Sequence, residues 1–367
     1  MRIVHVVQTL GMGGQERLIL NLSRELVRRG HEVSVLSLTP GGEIRPEFAP
    51  IPVHDVTRKA GFDALIFGRM ARTLNEIAPD AVHTHNPSPM FYAVPASRAL
   101  RIKSNVHTKH GANIYGRKSL RAVRILVRTL SAFVCVSEGT AEVAREKEHV
   151  PEKLLHVIPN GIPLVDFNPN AETRARLRRE LTIPENAFVV GSVGRLAPEK
   201  DYPLLVKAMT PLLGENVRLV LVGDGASRKE IEASIPQSLR PFVTLTGSRR
   251  DVGDLLTTFD VFALTSKSEG LPLVIPEAMA TKLPIVATAV GGLPSIVPVE
   301  LGTLAPHGDD AGLTRALRAL HEDEPRRKRM GEAAHRYAHE RFSLEKMTDA
   351  YEALYRQAPA AARAVKR

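Results

Sequence analysis

The amino-acid sequence predicts an α/β protein built from two doubly wound parallel sheets, and three observations carry that prediction. Apolar, β-branched runs recur without the in-and-out alternation of a half-exposed strand, which is how strands covered on both faces read. Stretches of helical period separate these runs, so strand and helix alternate along the chain. At 367 residues with 43% apolar content, the chain is long enough for two cores of ordinary size.

Residues 3–7, Ile-Val-His-Val-Val, form the first expected strand. Gly11-Met12-Gly13-Gly14 follows it, and residues 16–29 place Leu18, Leu22 and Leu26 on one helical face before Gly30 ends the helix. Residues 31–38 supply the next strand, so the glycines sit at the first turn of a βαβ unit. There a ligand can approach the backbone at a helix N-terminus; a tight turn without ligand explains the glycines equally well.

Residues 81–85 and 103–111 read as short strands ending in loops that carry His83, His85, His107 and His110. No acid or cysteine stands near them at ligand spacing, and Asp309, Asp310 and Asp323 read as a loop and a charged surface run. No metal site is predicted.

Residues 117–130 combine Arg117, Arg121, Arg124 and Arg128 with a stripe of Leu120, Val123, Val127 and Leu130, a basic amphipathic helix. Such a helix lies on anionic lipid, holds a phosphorylated acceptor, or is an ordinary solvated face. The first domain is expected to cover residues 1–165, closing on Pro-Asn-Gly-Ile and a proline-flanked linker at 163–169.

The second domain, 166–342, repeats the rhythm. A charged helix (172–181) precedes strands at 188–193, 217–222, 242–246, 260–264 and 284–287, with helices at about 202–213, 227–234, 252–257 and up to 280 between them. Helices at about 311–320, 325–340 and 343–357 finish the chain.

Chemistry concentrates between residues 261 and 294. Glu269 and Glu277 stand eight positions apart; Gly270-Leu271-Pro272 follows the first and Glu277-Ala-Met-Ala the second, giving strand, turn, helix, strand. A turn of this kind presents free N–H groups outside the carboxyl end of a strand, where open parallel sheets bind phosphates. Upstream, Gly194-Arg195-Leu-Ala-Pro-Glu-Lys200-Asp201 sets a guanidinium and an ammonium five residues apart on one strand-to-helix loop. That pair suits a diphosphate leaving group, because Arg grips oxygens bidentately and Lys supplies a mobile point charge.

The GRL-x-x-x-KD loop, followed some 70 residues later by E-x7-E in an SxSEGLPL…EAMA setting, resembles the retaining family 4 glycosyltransferases of the GT-B fold, over nearly the whole chain. The resemblance implies two Rossmann-like domains facing across a cleft, with a last helix (about 343–367) packing back on the first. It implies transfer of a sugar from a UDP- or GDP-linked donor to a hydroxyl acceptor, in glycolipid, lipopolysaccharide or exopolysaccharide assembly, with no metal and no cofactor beyond the nucleotide sugar. In that reading Arg195 and Lys200 stabilise the departing diphosphate. Glu269 faces the donor sugar, as does His110, with His107 as runner-up. Glu277 holds the ribose hydroxyls, Arg250 borders the base, and Gly13, Gly14, Gly270, Leu271, Leu273 and Val274 line the donor. Three residues depart from the family pattern: Lys282 where a glycine usually ends the helix, Ser295 in place of an acid, and Pro276 before Glu277. The helix carrying Glu277 starts either at Pro272, at the cost of a hydrogen bond, or at Pro276 with proline in its first position.

A nucleotide-sugar 2-epimerase or hydrolase on the same scaffold, and a non-catalytic sugar-nucleotide-binding protein, are the competing readings. A nicotinamide oxidoreductase is disfavoured because the first turn lacks the third glycine of its fingerprint. The net charge of +10 sits mostly in the first half, where residues 1–165 carry 22 Lys and Arg against 14 Asp and Glu. Nucleic acid is a poor match for this charge, since aromatic content is 5% with no Trp and no recognition motif is found. A single Cys135 in an apolar run reads as core. No leader pattern and no 18-residue apolar run is found, so the expected location is cytoplasmic, or peripheral on the inner face of a membrane.

Overall fold

In the computed structural model, which describes residues 1–59, 63–111 and 117–357, every predicted buried run becomes a strand or part of one. The chain divides into two units, Met1–Gly161 with Leu344–Arg367, and Ile162–Ser343.

The first unit contains β1 (Arg2–Val7), α1 (Gly14–Arg28), β2 (Glu32–Ser37), β3 (Val53–Asp55), α2 (Leu65–Ile77), β4 (Ala81–His85), α3 (Pro87–Ala99), β5 (Ser104–Lys109), α4 (Arg117–Val127), β6 (Ala132–Cys135), α5 (Glu138–Glu146) and β7 (Leu155–Val157). Its strands are parallel in the order β3-β2-β1-β4-β5-β6-β7. The order reverses between β1 and β4, and at such a point the loops leaving the two strands part and open a crevice. The register places His5 beside His83 and His85 beside Thr108. Because side chains alternate faces, His5, His83, His85 and Thr108 share one face and His107 lies on the other.

The helix α3 has no counterpart in the sequence reading, which its prolines at 87, 89 and 95 obscured; the first two sit in the opening turn, where N–H groups are unpaired anyway, and only Pro95 is interior. The chain's last helix, Leu344–Arg356, belongs to this unit. It buries Tyr351 and Tyr355 on the histidine face and accepts the Gly161 N–H at Met347 Sδ, 3.1 Å away.

The second unit runs α6 (Ala171–Glu180), β8 (Phe188–Val193), α7 (Tyr202–Met209), β9 (Val217–Val222), α8 (Arg228–Ser234), β10 (Val243–Leu245), α9 (Val252–Leu256), β11 (Val261–Leu264), α10 (Val274–Ala280), β12 (Ile285–Thr288), α11 (Leu293–Ile296), β13 (Gly302–Ala305), α12 (Asp310–Glu322) and α13 (Glu324–Arg341); the last helix of the chain is then α14. Its parallel order is β10-β9-β8-β11-β12-β13, with the reversal between β8 and β11. Residues 163–169, expected as a linker, pack within this unit: Phe167 is buried and the Asp166 carbonyl stands 2.6 Å from where a Cβ on Gly253 would be.

The basic helix is shorter than its pattern. α4 stops at Val127, where Thr129 and Leu130 N–H groups bond back to Leu126 and Val127 in a tightened turn, so Arg128 lies beyond it. Arg121 and Arg128 are exposed, whereas Arg124 turns to the Lys147 carbonyl at 3.0 Å, and the row of free cations is interrupted. The side chain of Arg117 lies outside the described residues. Among the described residues, no helix is long and apolar enough to cross a membrane.

Candidate active site

The loops leaving β8, β9, β11 and β12 are tied together at the carboxyl edge of the second sheet. Tyr202 Oη donates to the Gly194 carbonyl at 3.1 Å, the Leu196 N–H to Asp224 at 2.9 Å, Thr265 Oγ1 to the Asp201 carbonyl at 2.9 Å, and the Lys267 N–H to the Glu199 carbonyl at 2.8 Å. On this frame Lys200 Nζ lies 2.6 Å from Glu269 Oε1, and Ser266 Oγ donates to the same oxygen at 2.5 Å. The sequence spacing of 69 residues thus closes into one ion pair on the loops of β8 and β11, between which the strand order reverses. The Lys200 and Glu269 side chains keep 19% and 9% of their surface, enough for an anion or a hydroxyl to reach them from solvent.

The loop after β12 fixes Glu269 from behind. Gly291 has φ +55, and a Cβ there would stand 1.8 Å from the Glu269 carbonyl oxygen, which also accepts the Gly292 N–H at 3.3 Å. Only glycine meets both demands.

Arg195 is on the same loop as Lys200 but outside the pair: its side chain is exposed and held by Glu199 at 2.6 Å. Neither proposed start of the helix is adopted. α10 begins at Val274, so Pro276 is third in the helix and its missing N–H falls among first-turn donors that have no intrahelical acceptor. Glu277 is half-buried on that first turn, beside the buried Gly270, Leu271 and Leu273 and the half-buried Val274. Lys282 sits at φ +63, a left-handed position that favours the glycine usual there, and pairs with Glu332 at 2.8 Å. Ser295 Oγ bonds to the Gly292 carbonyl at 2.7 Å. After β10, Arg249 is gripped by Glu180 and Asp251, while Arg250 is exposed.

The carboxyl edge of the first sheet is built differently. Gly13 caps α1 in an extended conformation and Gly14 opens it. Gln15 accepts from the Asn86 amide, and Asn86 Oδ1 accepts the His110 backbone N–H at 3.2 Å. His110 is half-buried; its Nε2 lies 3.0 Å from His85 Nδ1, and His85 Nε2 lies 3.0 Å from His5 Nδ1. His83 bonds Tyr355 Oη at 2.7 Å and Thr108 Oγ1 at 2.8 Å, and Thr108 bonds Tyr351 Oη at 3.0 Å. Burial pushes His5, His107 and His110 down to about 3, and burial plus neighbouring imidazoles holds His83 and His85 well below the usual range, so the rings are neutral near pH 7.

His5, His83 and His85 bring ring nitrogens within 4.8 Å of one another and are the described residues that could hold a metal. Sequence reasoning missed His5, which joins the group only through strand register. His107, the runner-up to His110, is excluded from that group: it bonds Thr84 at 2.9 Å and packs on Phe133 across the sheet. Beneath His110, Lys109 and Glu148 form a fully buried ion pair that the sequence also did not reveal.

Comparison with known proteins agrees with this architecture. The family described as Glycosyl transferases group 1 matches residues 173–337, and Glycosyltransferase Family 4 matches residues 12–165. The chain is 26% identical over 345 residues, 88% of each chain, to the UDP-Gal:alpha-D-GlcNAc-diphosphoundecaprenol alpha-1,3-galactosyltransferase of Escherichia coli. It is 28% identical, over 81% of each chain, to a GDP-mannose-dependent alpha-mannosyltransferase of Mycobacterium tuberculosis. Among solved structures, Anabaena HepE in complex with UDP superposes with a TM-score of 0.86 at 24% identity, covering 96% of this chain and 99% of that one, a likeness of fold.

Proposed function

Since the chain belongs to the group 1, family 4 glycosyltransferases and has their GT-B fold, we propose that it transfers a sugar from a UDP- or GDP-linked donor to a hydroxyl acceptor with retention of configuration. The observation that carries the reading is the Lys200–Glu269 pair at the switch point of the second sheet, with Arg195 on the same loop. Bond breaking between the anomeric carbon and the phosphate oxygen builds negative charge on the diphosphate. Arg195 and Lys200 are the groups that stabilise it, Lys200 exchanging part of its bond to Glu269 for the phosphate. Glu269, thereby released, orients sugar hydroxyls and offsets the positive charge of the ring. Glu277 binds the ribose hydroxyls with two acceptor oxygens, and His110 contacts the sugar. The acceptor oxygen attacks from the face the diphosphate leaves, and its proton passes to the departing phosphate oxygen. No metal is needed for this step.

Relatives named for UDP-galactose and GDP-mannose leave both nucleotides in play. The diphosphoundecaprenol acceptor named for one of them, together with the basic first half, supports a lipid-linked glycan as acceptor and work at the inner face of a membrane. Thermal unfolding with UDP, GDP and their sugars tests the donor: a ligand at 100 times its Kd stabilises by about 2.7 kcal/mol. Lys200→Ala is expected to lose that protection and roughly 10²- to 10³-fold in kcat. Full protection and normal turnover in Lys200→Ala would overturn the assignment. Release of free sugar without transfer to any acceptor would favour a hydrolase.

A further inference from the structure

We infer that His5 and His85 are positioning residues that fix the tautomer of His110, so that His110 presents an Nδ1–H donor at the edge of the first sheet. The inference deepens the proposed reaction, and rests on it only for the use made of that proton.

Three imidazoles are joined nitrogen to nitrogen, His5 Nδ1 to His85 Nε2 and His85 Nδ1 to His110 Nε2, each at 3.0 Å. A neutral imidazole carries one N–H, so the chain has two self-consistent polarities. In one, His110 Nε2–H donates to His85 and His85 Nε2–H donates to His5, which leaves the last proton on His5 Nε2. That nitrogen is buried with no hydrogen-bond partner among the described residues. A buried N–H without an acceptor is the rarer and costlier defect. In the other polarity His5 Nδ1–H donates to His85, His85 Nδ1–H donates to His110, and the orphan position at His5 is a bare nitrogen. The remaining proton then stands on His110 Nδ1, the nitrogen the chain does not use, on the one residue of the three that is not fully buried.

Other contacts hold this polarity in place. The Asn86 bond fixes the His110 backbone. His83, its ring centroid 4.1 Å from that of His85 and tilted 37° to it, has both nitrogens engaged by Tyr355 and Thr108. It therefore offers His5 Nε2 no acceptor, and would ligate a metal only by giving up a bond. Burial keeps all three chain rings uncharged, so no extra proton blurs the alternatives.

The test is a long-range ¹H–¹⁵N spectrum of the full-length, ¹⁵N-histidine-labelled protein near neutral pH, which reports which nitrogen of each ring is protonated. Nδ1–H is expected at His5, His85 and His110. His5→Phe removes the donor at the blind end and is expected to lower the Nδ1–H to Nε2–H ratio at His110 by about tenfold. His5→Asn, whose amide nitrogen falls near the Nδ1 position, is expected to restore it. A proton on His5 Nε2 or His110 Nε2 in the unmodified protein, or stoichiometric zinc by elemental analysis, would overturn the inference. The unmodified protein decides even if a variant fails to fold. Because no substrate is used, the result is independent of whether the protein transfers sugar.

Discussion

Each unit places a Lys–Glu pair close to the carboxyl edge of its sheet, and the two pairs are chemically the same but physically opposite. Lys109–Glu148 is sealed, with side chains 2% and 0% exposed, and burial raises the Glu148 carboxyl despite the ammonium beside it. Lys200–Glu269 keeps 19% and 9%, and Ser266 shares the load on the carboxylate. A sealed pair cannot change partners, since each charge alone in the interior is costly. A pair open to solvent can. Depth, and not residue type, separates a structural ion pair from one able to meet a ligand. The same contrast extends around the two edges: the first is lined by neutral imidazoles bonded to one another, the second by charged groups.

Acid tests this contrast most strongly. His5 and His107 titrate at about 3 in the fold against 6.5 for the free side chain, so the unfolded chain binds more protons between those values. Their contribution is fully present above pH 6.5 and is lost as pH falls toward 3, at about 1.4 kcal/mol per pH unit for each imidazole. Hydrogen exchange from pH 7 to 5 is expected to show amides of the first sheet losing protection before those of the second; simultaneous loss would contradict the account. Next in size, Lys109→Met strands Glu148 in the interior and is expected to cost about 3–5 kcal/mol in denaturant unfolding. Lys200→Ala is expected to change stability far less while removing turnover, and a reversal of these two phenotypes would break the comparison. Gly291→Ala meets both a left-handed backbone and the Glu269 carbonyl, and should cost about 1–3 kcal/mol while displacing Glu269 and lowering kcat. Arg195→Ala, which loses only an exposed pair with Glu199, should leave the melting curve within about 0.5 kcal/mol of the parent while weakening protection by nucleotide sugars.

Much of the fold was legible. Strands β8 and β9 fall on the residues expected, because fully buried parallel strands write themselves as unbroken apolar runs. Other elements had no counterpart in the sequence reading: β3, β13 and α11 are only three or four residues long, α3 carries prolines that read as breaks, and the proline-free helices α2 and α5 were not read at all. The two prolines left the start of α10 open, a start at Pro272 costing a hydrogen bond at Pro276 and a start at Pro276 avoiding that cost. The helix starts at Val274, and Leu271, Leu273 and Ile275 around that start are buried, a depth that no local rule contains.

For the candidate site, the sequence by itself determined the chemical inventory: an arginine and a lysine on one loop, two acids on another, glycines at the first turn and histidines at two strand ends. Spacing along the chain is enough for that, because residues on one loop stay close however the rest folds. Tertiary structure alone decided that Lys200 reaches Glu269, that His5 joins His85 and His110, that His107 faces away from them, and that Lys109 is sealed. Those relations depend on strand order, register and depth, which arise only when residues 23 to 80 positions apart meet across a sheet whose order reverses in the middle.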